Sequence, residues 1–221
     1  MKFATLVVVA LVVFVAWAGI PVSLASDGRD LSSVNGEVTA SAGETYGSLS
    51  TVNGSVHVSR GVTADRAKTV NGEIEVENNV KIGELATVNG SVDIGEDVAV
   101  ERNASTVNGG IELGKRSRVG GDVTTVNGEV EIRGGEVGGK VITTKGDIEL
   151  TDGARVQGGI LVKKNMGTDW GWGKDQDRPS KVHICSTCVV EGDLVFERPV
   201  ELRVEDGAKI GKVIGDQVTR R

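Results

Sequence analysis

The sequence predicts an all-β fold, a single-stranded parallel β-helix (a solenoid) with about 18 residues and three short sides in each coil. Three observations support this prediction. The tetrapeptide Thr-Val-Asn-Gly recurs at nearly fixed spacing, and apolar residues alternate with polar ones between its copies. The chain also has 32 glycines but only 3% aromatic residues, so Val, Ile, Leu and Ala must fill its interior. Such residues suit a core that is one side chain deep.

The spacing of the tetrapeptide defines the length of a coil. Identical copies occupy 51–54, 69–72, 87–90, 106–109 and 125–128, with a looser copy at 33–36 and a degraded one at 143–146. From Asn35 to Lys145, the third position of the copies advances by 18, 18, 18, 19, 19 and 18 residues. A nearly constant period of this length is typical of a protein whose repeats stack on one another.

An antiparallel meander is the alternative, because Asn-Gly between alternating apolar residues also indicates a β-hairpin. The number of turns in each repeat favours the solenoid. The unit 67–84, for example, has turn signals at 71–72, 78–79 and 83–84. Three turns would reverse the strand direction in every second repeat of a meander, so equivalent residues would not be neighbours. In a three-sided coil they stack about 4.8 Å apart, which explains why they match.

Stacking predicts columns of matching side chains. One inward column contains Val38, Val56, Ile74, Val92, Ile111, Val130 and Ile148, a second contains Ala40, Val58, Val76, Ile94, Leu113, Ile132 and Leu150, and the tetrapeptide valines Val34, Val52, Val70, Val88, Val107 and Val126 form a third. We therefore expect Thr and Asn of each tetrapeptide to form ladders on the outside. The glycine turns a corner where a Cβ would not fit. These corner residues, to which we assign a structural role, are Asn53, Gly54, Asn71, Gly72, Asn89, Gly90, Asn108, Gly109, Asn127 and Gly128.

Residues 1–25 have the pattern of a signal peptide. Lys2 precedes an uncharged stretch over 3–25, which ends in small residues that suit signal peptidase. An uncleaved anchor is the alternative, because a stretch of about 20 apolar residues spans a bilayer, but Pro21 and the small residues favour cleavage. Both alternatives predict export to the periplasm or cell surface, with membrane contact only through an uncleaved N-terminal segment.

The remaining chain divides into a linker at 26–30, the repeats at 31–164, a Trp/Gly-rich loop at 165–180 and further coils at 181–217. Without residues 1–25 it has 24 Lys and Arg against 31 Asp and Glu, a net charge of −7, which argues against nucleic acid as a partner. Trp170 and Trp172 lie in the loop, where the repeat pattern fails. They either pack back on the solenoid or bind a sugar or protein partner.

Two stretches resemble known families. The "TVNGxVxV" units of 31–164 resemble the adhesin family of bacterial envelope β-solenoids, and "VVEGDLVFERPVELRVEDGAKIG" within 181–215 resembles the polymer-forming bactofilins. The resemblance implies a right-handed β-helix with a scaffolding or surface role. The N-terminal export signal departs from the bactofilin pattern, because members of that family are mostly cytoplasmic or membrane-associated.

Cys185 and Cys188 form a Cys-x-x-Cys pair two residues after His183. Three interpretations are open: a structural disulfide, a metal site and a thiol-exchange site. Zinc requires four ligands, and the chain has no second pair of cysteines. In an exported protein a pair of cysteines indicates a disulfide, which here would close the corner that follows the loop. We therefore expect the disulfide.

A stripe of carboxylates lies between the two inward columns, at Glu75, Asp93, Glu112, Glu131 and Glu149. Such a stripe either is a solvated face that keeps other strands away or binds divalent cations or a basic partner. The regular charge pattern favours the first interpretation.

The sequence therefore predicts a non-enzymatic structural or adhesive element of the cell envelope that needs no cofactor. The alternative is a ligand-binding module for a carbohydrate or a divalent cation, which would use the tryptophan loop or the carboxylate stripe. We also expect self-association through the C-terminal coil, because the charged tail is too short to cover it. At the other end, Tyr46 of the atypical first coil would lie across the core as a lid.

Overall fold

The computed structural model describes residues 28–164, 178–215 and 217–220, with only the backbone of Arg220. The predicted signal peptide, Trp170 and Trp172 lie outside these ranges. Within them the chain is all-β, every strand pair is parallel, and no helix is long and apolar enough to cross a membrane. The predicted parallel β-solenoid is confirmed, with about 10 coils of about 18 residues.

The first side of the solenoid is a ten-stranded sheet with one strand from each coil. Its strands, numbered in chain order with those of the other sides, are β2 (Val38–Ala40), β4 (Val56–Val58), β6 (Ile74–Val76), β8 (Val92–Ile94), β11 (Ile111–Leu113), β14 (Val130–Arg133), β17 (Ile148–Thr151), β20 (Ser180–Ile184), β23 (Val200–Val204) and β26 (Val218–Arg220). Strand β26 lies entirely beyond the predicted coils at 181–217. Strand β20 begins at Ser180, one residue before those coils.

The second and third sides form one continuous 16-stranded sheet. Four strands near its N-terminal end, β1 (Arg29–Ser32), β3 (Thr45–Ser50), β5 (Thr63–Lys68) and β7 (Lys81–Ala86), run around the corner between these sides. Later coils have separate strands on the second side, namely β9 (Ala99–Val100), β12 (Arg118–Val119), β15 (Glu136–Val137), β18 (Arg155–Val156), β21 (Val189–Val190) and β24 (Lys209–Ile210). Their third-side strands are β10 (Ala104–Ser105), β13 (Val123–Thr124), β16 (Val141–Thr143), β19 (Ile160–Val162), β22 (Leu194–Phe196) and β25 (Val213–Ile214).

The change from 18 to 19 residues per coil occurs at this corner. Ile82 pairs with Val100 and Leu85 with Ala104, so the later coil has one more residue between the two sides. The strand can no longer run continuously, and it divides into β9 and β10. A residue inserted at a corner leaves every inward column in register. The solenoid can therefore contain coils of 19 residues beside coils of 18.

The two inward columns of the first side are confirmed. Strand pairing places Val56, Ile74, Val92, Ile111, Val130 and Ile148 side by side in consecutive coils. These residues and those of the second column are at most 5% exposed. Burial of one such side chain contributes about 1.5–3 kcal/mol relative to exposure. The core therefore consists of β-branched and aliphatic residues packed against their own copies.

The predicted orientation of Thr and Val in the tetrapeptide is wrong. Thr51, Thr69, Thr87, Thr106 and Thr125 are only 1–4% exposed, whereas Val52 is 38% exposed and Val34 66%. Each threonine Oγ1 donates to the carbonyl of the preceding coil's glycine at 2.8–3.0 Å. The corner needs a small inward side chain that also supplies a donor for that carbonyl. Threonine meets both needs, while valine has no donor.

The asparagine ladder and the glycine contact agree with the predicted corner. Each Asn Nδ2 donates to the Oδ1 of the asparagine in the preceding coil at 2.8–3.0 Å, from Asn53 through Asn127. A Cβ on Gly54, Gly72, Gly90, Gly109 or Gly128 would lie 1.9–2.1 Å from the glycine carbonyl oxygen of the coil before it. Such an approach is shorter than any real contact, so only glycine fits in these positions.

The two ends of the solenoid differ. At the N-terminal end, β1 covers β3, and Arg29 stacks over the ring of Tyr46 with 5.4 Å between its Cζ and the ring centroid. Tyr46 is 1% exposed and lies inside the first coil rather than across its end, so its predicted position as the lid is wrong. At the C-terminal end, Ile210, Val213 and Val218 of the last coil are half-buried, and their strands have an open edge among the described residues.

Candidate functional site

The outward surface of the first side is strongly acidic. Strand pairing continues the predicted stripe through Thr39, His57, Glu75, Asp93, Glu112, Glu131, Glu149, His183 and Arg203. The outward positions on its two flanks add the carboxylates Glu37, Glu73, Glu77, Glu129, Asp147, Glu201 and Glu205 and the cations Arg133 and Lys181. This acidic face thus has 12 carboxylates against three Lys or Arg, a net charge of −9, compared with −6 for the whole chain.

Two side chains, His57 and Arg133, bind carboxylates of the stripe. His57 contacts Glu75 through Nδ1 at 3.1 Å and Glu77 through Nε2 at 3.0 Å. Burial lowers the pKa of His57, but the bonds to both carboxylates outweigh it, so the net pKa is raised. Arg133 contacts Glu112 at 3.0 Å and donates through Nη2 to Glu131 at 2.9 Å, which lowers the pKa of Glu131. These contacts tie parts of the row of carboxylates into short bonded groups.

Asp93 lies in the middle of the stripe and holds its proton unusually well. Burial raises its pKa to about 6, and a hydrogen bond with the Glu73 carboxyl adds to the effect. The Asp93 carboxyl therefore keeps a proton in mildly acidic solution. Among the residues of the solenoid that the structure describes, no three His, Cys, Asp or Glu side chains converge to hold a metal ion. The stripe offers cations a row of separate charges.

An open depression of about 610 Å³ lies at the C-terminal end of the acidic face. Charged groups of both signs line it, including Glu129, Glu149, Lys181, His183 and Arg203. His183 approaches Glu205 at 3.0 Å and Glu149 at 3.5 Å. Burial and the nearby carboxylates raise the pKa of Glu129. Ile148, Val182 and Leu202 also line the depression, so it suits a partner that has both charged and apolar groups.

Arg198 anchors the base of the predicted tryptophan loop. Pairing of Val162 with Phe196 places Arg198 two residues later in the slot of the tetrapeptide asparagine. Its side chain is 8% exposed, and it donates to the carbonyls of Thr144 at 2.7 Å and Arg178 at 3.0 Å and to Ser180 Oγ at 3.3 Å. Arg198 is not among the site residues predicted from the sequence. The only signal was an arginine where the ladder has asparagine.

Asp147 forms the second anchor of the same loop. Its Oδ2 accepts from Arg178 Nη2 at 2.6 Å, and its Oδ1 accepts from the Lys181 backbone N–H at 2.8 Å. With Arg198, this carboxylate fixes the point at which the chain re-enters the solenoid. Residues 165–177 themselves lie outside the described ranges, so their predicted role stays a prediction.

The predicted disulfide between Cys185 and Cys188 is confirmed, with 5.1 Å between the two Cα atoms. Leu150 pairs with Ile184 and Arg155 with Val189, so the two cysteines bracket the corner equivalent to Asp152 and Gly153. The described ranges contain no free cysteine. The bond closes the first corner after the loop.

In comparisons with protein-family models, curated proteins and solved structures, the chain has no significant match. The β-solenoid architecture and its repeats therefore rest on the structure itself. These comparisons add no support to the resemblances to envelope adhesins and to bactofilins.

Proposed function

We propose that the protein is a non-enzymatic, exported β-solenoid that serves as a structural or adhesive element of the bacterial cell envelope. The observation that carries the proposal is the uninterrupted register of the first side, where ten strands pair in sequence. At about 4.8 Å per strand, this stack forms a rod about 43 Å long. Such a rod has a repetitive surface on every side, which suits a spacer or scaffold.

The disulfide supports the exported location. Cys185 and Cys188 are bonded to each other, and disulfides persist in oxidising compartments such as the periplasm and the cell surface. The pattern of residues 1–25 agrees with this location.

Fractionation of cells that express the full sequence tests the location. We expect the protein in the envelope fraction, with a mass that corresponds to removal of residues 1–25 and an intact disulfide. Recovery in the cytosol, with both thiols reduced and Lys2 retained, would contradict the proposal. Electron microscopy of the recovered protein, with and without calcium, then tests whether it forms filaments.

The C-terminal coil provides the contact for assembly along the rod axis. Its open strands expose backbone groups, and Ile214 at the edge is 49% exposed. We expect substitution of Val213 and Ile214 by Lys to abolish end-to-end association in light scattering. Arg29→Lys at the opposite end is the control and should leave it intact. An oligomer that survives the double substitution would exclude the C-terminal coil as the contact.

A second candidate function is the binding of a basic partner by the acidic face. The observation that favours it is the net charge of −9 concentrated on one side. A polylysine peptide should bind with an affinity that falls steeply with salt. Glu112→Gln with Glu149→Gln should weaken binding, whereas Glu101→Gln with Glu191→Gln, outside the acidic face, should not. Equal losses in both pairs would indicate attraction by the overall charge.

A further inference from the structure

The Asn-Gly pairs at the tetrapeptide corners are chemically reactive sequences. In such a pair the backbone nitrogen of the glycine can attack the side-chain carbonyl carbon of the asparagine, and glycine hinders this attack least because it has no Cβ. The chain has six of these pairs, which begin at Asn35, Asn53, Asn71, Asn89, Asn108 and Asn127. All six asparagines are exposed, so water has access to each of them. We therefore look to their hydrogen bonds for a difference in reactivity.

In the first five pairs both reacting groups are held by hydrogen bonds. The Gly36 N–H donates to the Asn53 carbonyl at 2.8 Å, and the same bond recurs in each coil until the Gly109 N–H donates to the Asn127 carbonyl at 3.1 Å. Each of these five asparagines also accepts a bond at Oδ1 from the side chain of the next asparagine in the ladder. Attack then requires both bonds to break, which needs local opening of the stack.

The sixth pair, Asn127 and Gly128, lacks both of these bonds. The row of paired asparagine backbones ends at Asn127. In the coils that the structure describes, neither the Gly128 N–H nor the Asn127 Oδ1 has a hydrogen-bond partner. The cause lies in the next coil, where Lys145 stands in the ladder slot and has no side-chain amide. The Lys145 N–H still donates to the Val126 carbonyl at 2.8 Å, but the Lys145 carbonyl does not accept from Gly128.

We propose that Asn127 is a modification site, at which the folded protein converts an asparagine to aspartate or isoaspartate without an enzyme. The Gly128 nitrogen forms a bond to Asn127 Cγ, its proton leaves with the side-chain nitrogen as ammonia, and a cyclic imide remains. Water then opens the ring. Cleavage at Cγ gives aspartate, and cleavage of the original peptide bond gives isoaspartate, whose main chain runs through Cγ. The net change consumes water and releases ammonia, with no oxidation or reduction.

Conversion changes both the ladder and the corner. The Asn127 Nδ2 group donates to Asn108 Oδ1 at 2.8 Å, and a carboxylate has no hydrogen to donate there. Isoaspartate also lengthens the main chain at a tight corner, where even a Cβ on Gly128 would lie 1.9 Å from the Gly109 carbonyl oxygen. The modification therefore adds a negative charge and loosens the last complete tetrapeptide corner.

Peptide mapping of the folded, full-length protein tests the proposal, after storage in warm, mildly basic buffer and against an unstored sample. Trypsin releases Asn127 in the peptide 119–133, which contains no other asparagine. Mass spectrometry follows the replacement of the amide by an acid at each pair, and electron-transfer fragmentation identifies isoaspartate. We expect Asn127 to convert at least about tenfold faster than the other five asparagines, because two hydrogen bonds protect each of those.

Storage in urea is the control for the effect of the fold. Unfolding removes the hydrogen bonds and leaves only the local Asn-Gly sequences, so all six pairs should then convert at similar rates. Equal rates at the six pairs in the folded protein would overturn the proposal. So would faster conversion at any pair other than Asn127 and Gly128.

Two variants at one position separate the ladder from the charge beside it. Lys145→Asn supplies the missing side-chain donor for Asn127 Oδ1 and should slow conversion of Asn127 about fivefold. Lys145→Met removes the same charge without supplying a donor, and its rate should stay close to that of the wild type. If both variants slow the conversion equally, or if neither does, the missing ladder bond is not the cause and the proposal fails.

Discussion

The coils before and after the loop are built by different means. From Thr51 to Gly128, each corner between the third and first sides repeats the same contacts: a buried threonine hydroxyl, an asparagine ladder and a glycine against the preceding glycine carbonyl. Beyond the loop none of these residues occupies that corner. Arg198, Asp147 and the bond between Cys185 and Cys188 stabilise the chain instead.

The difference shows how repetition replaces individual contacts. A repeated corner needs no long side chain, because each residue meets a copy of itself and the same short hydrogen bonds recur. Where the sequence diverges, the single buried Arg198 replaces these repeated contacts and donates to the backbone carbonyls of Thr144 and Arg178. We expect the repeated region to be sensitive to changes of shape at small residues. The later coils should be sensitive to loss of a few specific groups.

Gly109→Ala should have the largest effect. The new Cβ would lie 2.0 Å from the Gly90 carbonyl oxygen, and both groups belong to the backbone, so neither moves without shifting a coil. We expect the free energy of unfolding to fall by about 3 kcal/mol. Gly110→Ala is the matched control, because its nearest contact is Glu129 O at 3.2 Å. Thermal and urea unfolding measure the stability of both variants. Equal losses of stability would refute the close contact as the cause.

Arg198→Met should have the next largest effect. Methionine retains most of the apolar stem but leaves the carbonyls of Thr144 and Arg178 without the guanidinium donors. Loss of buried hydrogen bonds of this kind costs about 2–3 kcal/mol. Urea unfolding should show this loss, together with faster proteolysis near the loop. Arg203→Met on the exposed stripe should change stability little, and similar losses for both would rule out a specific anchor.

Replacement of Cys185 and Cys188 by Ala should have a moderate effect. The two cysteines are three residues apart in sequence, and closure of so short a loop contributes about 2 kcal/mol. Treatment of the wild type with a reducing agent should lower its stability by the same amount and leave the double variant unchanged. Hydrogen exchange should show the change in the coils after the loop, while the tetrapeptide coils stay protected. Uniform loss of protection would contradict this division.

Asp93→Asn should have the smallest effect and the opposite sign. Because burial raises the pKa of Asp93 to about 6 from an ordinary value of 3.8, the folded chain binds more protons than the unfolded chain between these values. Stability therefore falls as pH rises through this window. The substitution should add about 1 kcal/mol at pH 7, after allowance for solvent screening, and nothing near pH 3. A benefit that is independent of pH would mean that titration is not its cause.

The period of the sequence determined most of the fold in advance. Once the tetrapeptides were aligned, the register of Val56, Ile74 and Val92 followed, because stacking requires matching columns. The alternation of inward and outward residues could not be extended around the corner, because the backbone turns between Thr51 and Gly54. The threonine hydroxyl must also point inward there to reach the glycine carbonyl of the preceding coil. The disulfide followed from a short Cys-x-x-Cys spacing. The role of Arg198 was not predictable, because its direction depends on a loop that interrupts the repeat.

The asparagine ladder gives the rod an electrical direction. In every step the amide N–H of the later coil points to the amide oxygen of the earlier one, from Asn127 back to Asn53 and Asn35. The five bond dipoles are therefore aligned along the solenoid axis, as peptide dipoles are along an α-helix. The coil after Asn127 places Lys145 in the same slot and Arg198 occupies it two coils later. One end of the row is thus chemically distinguishable from the other, and the rod has a polarity that its nearly uniform cross-section does not reveal.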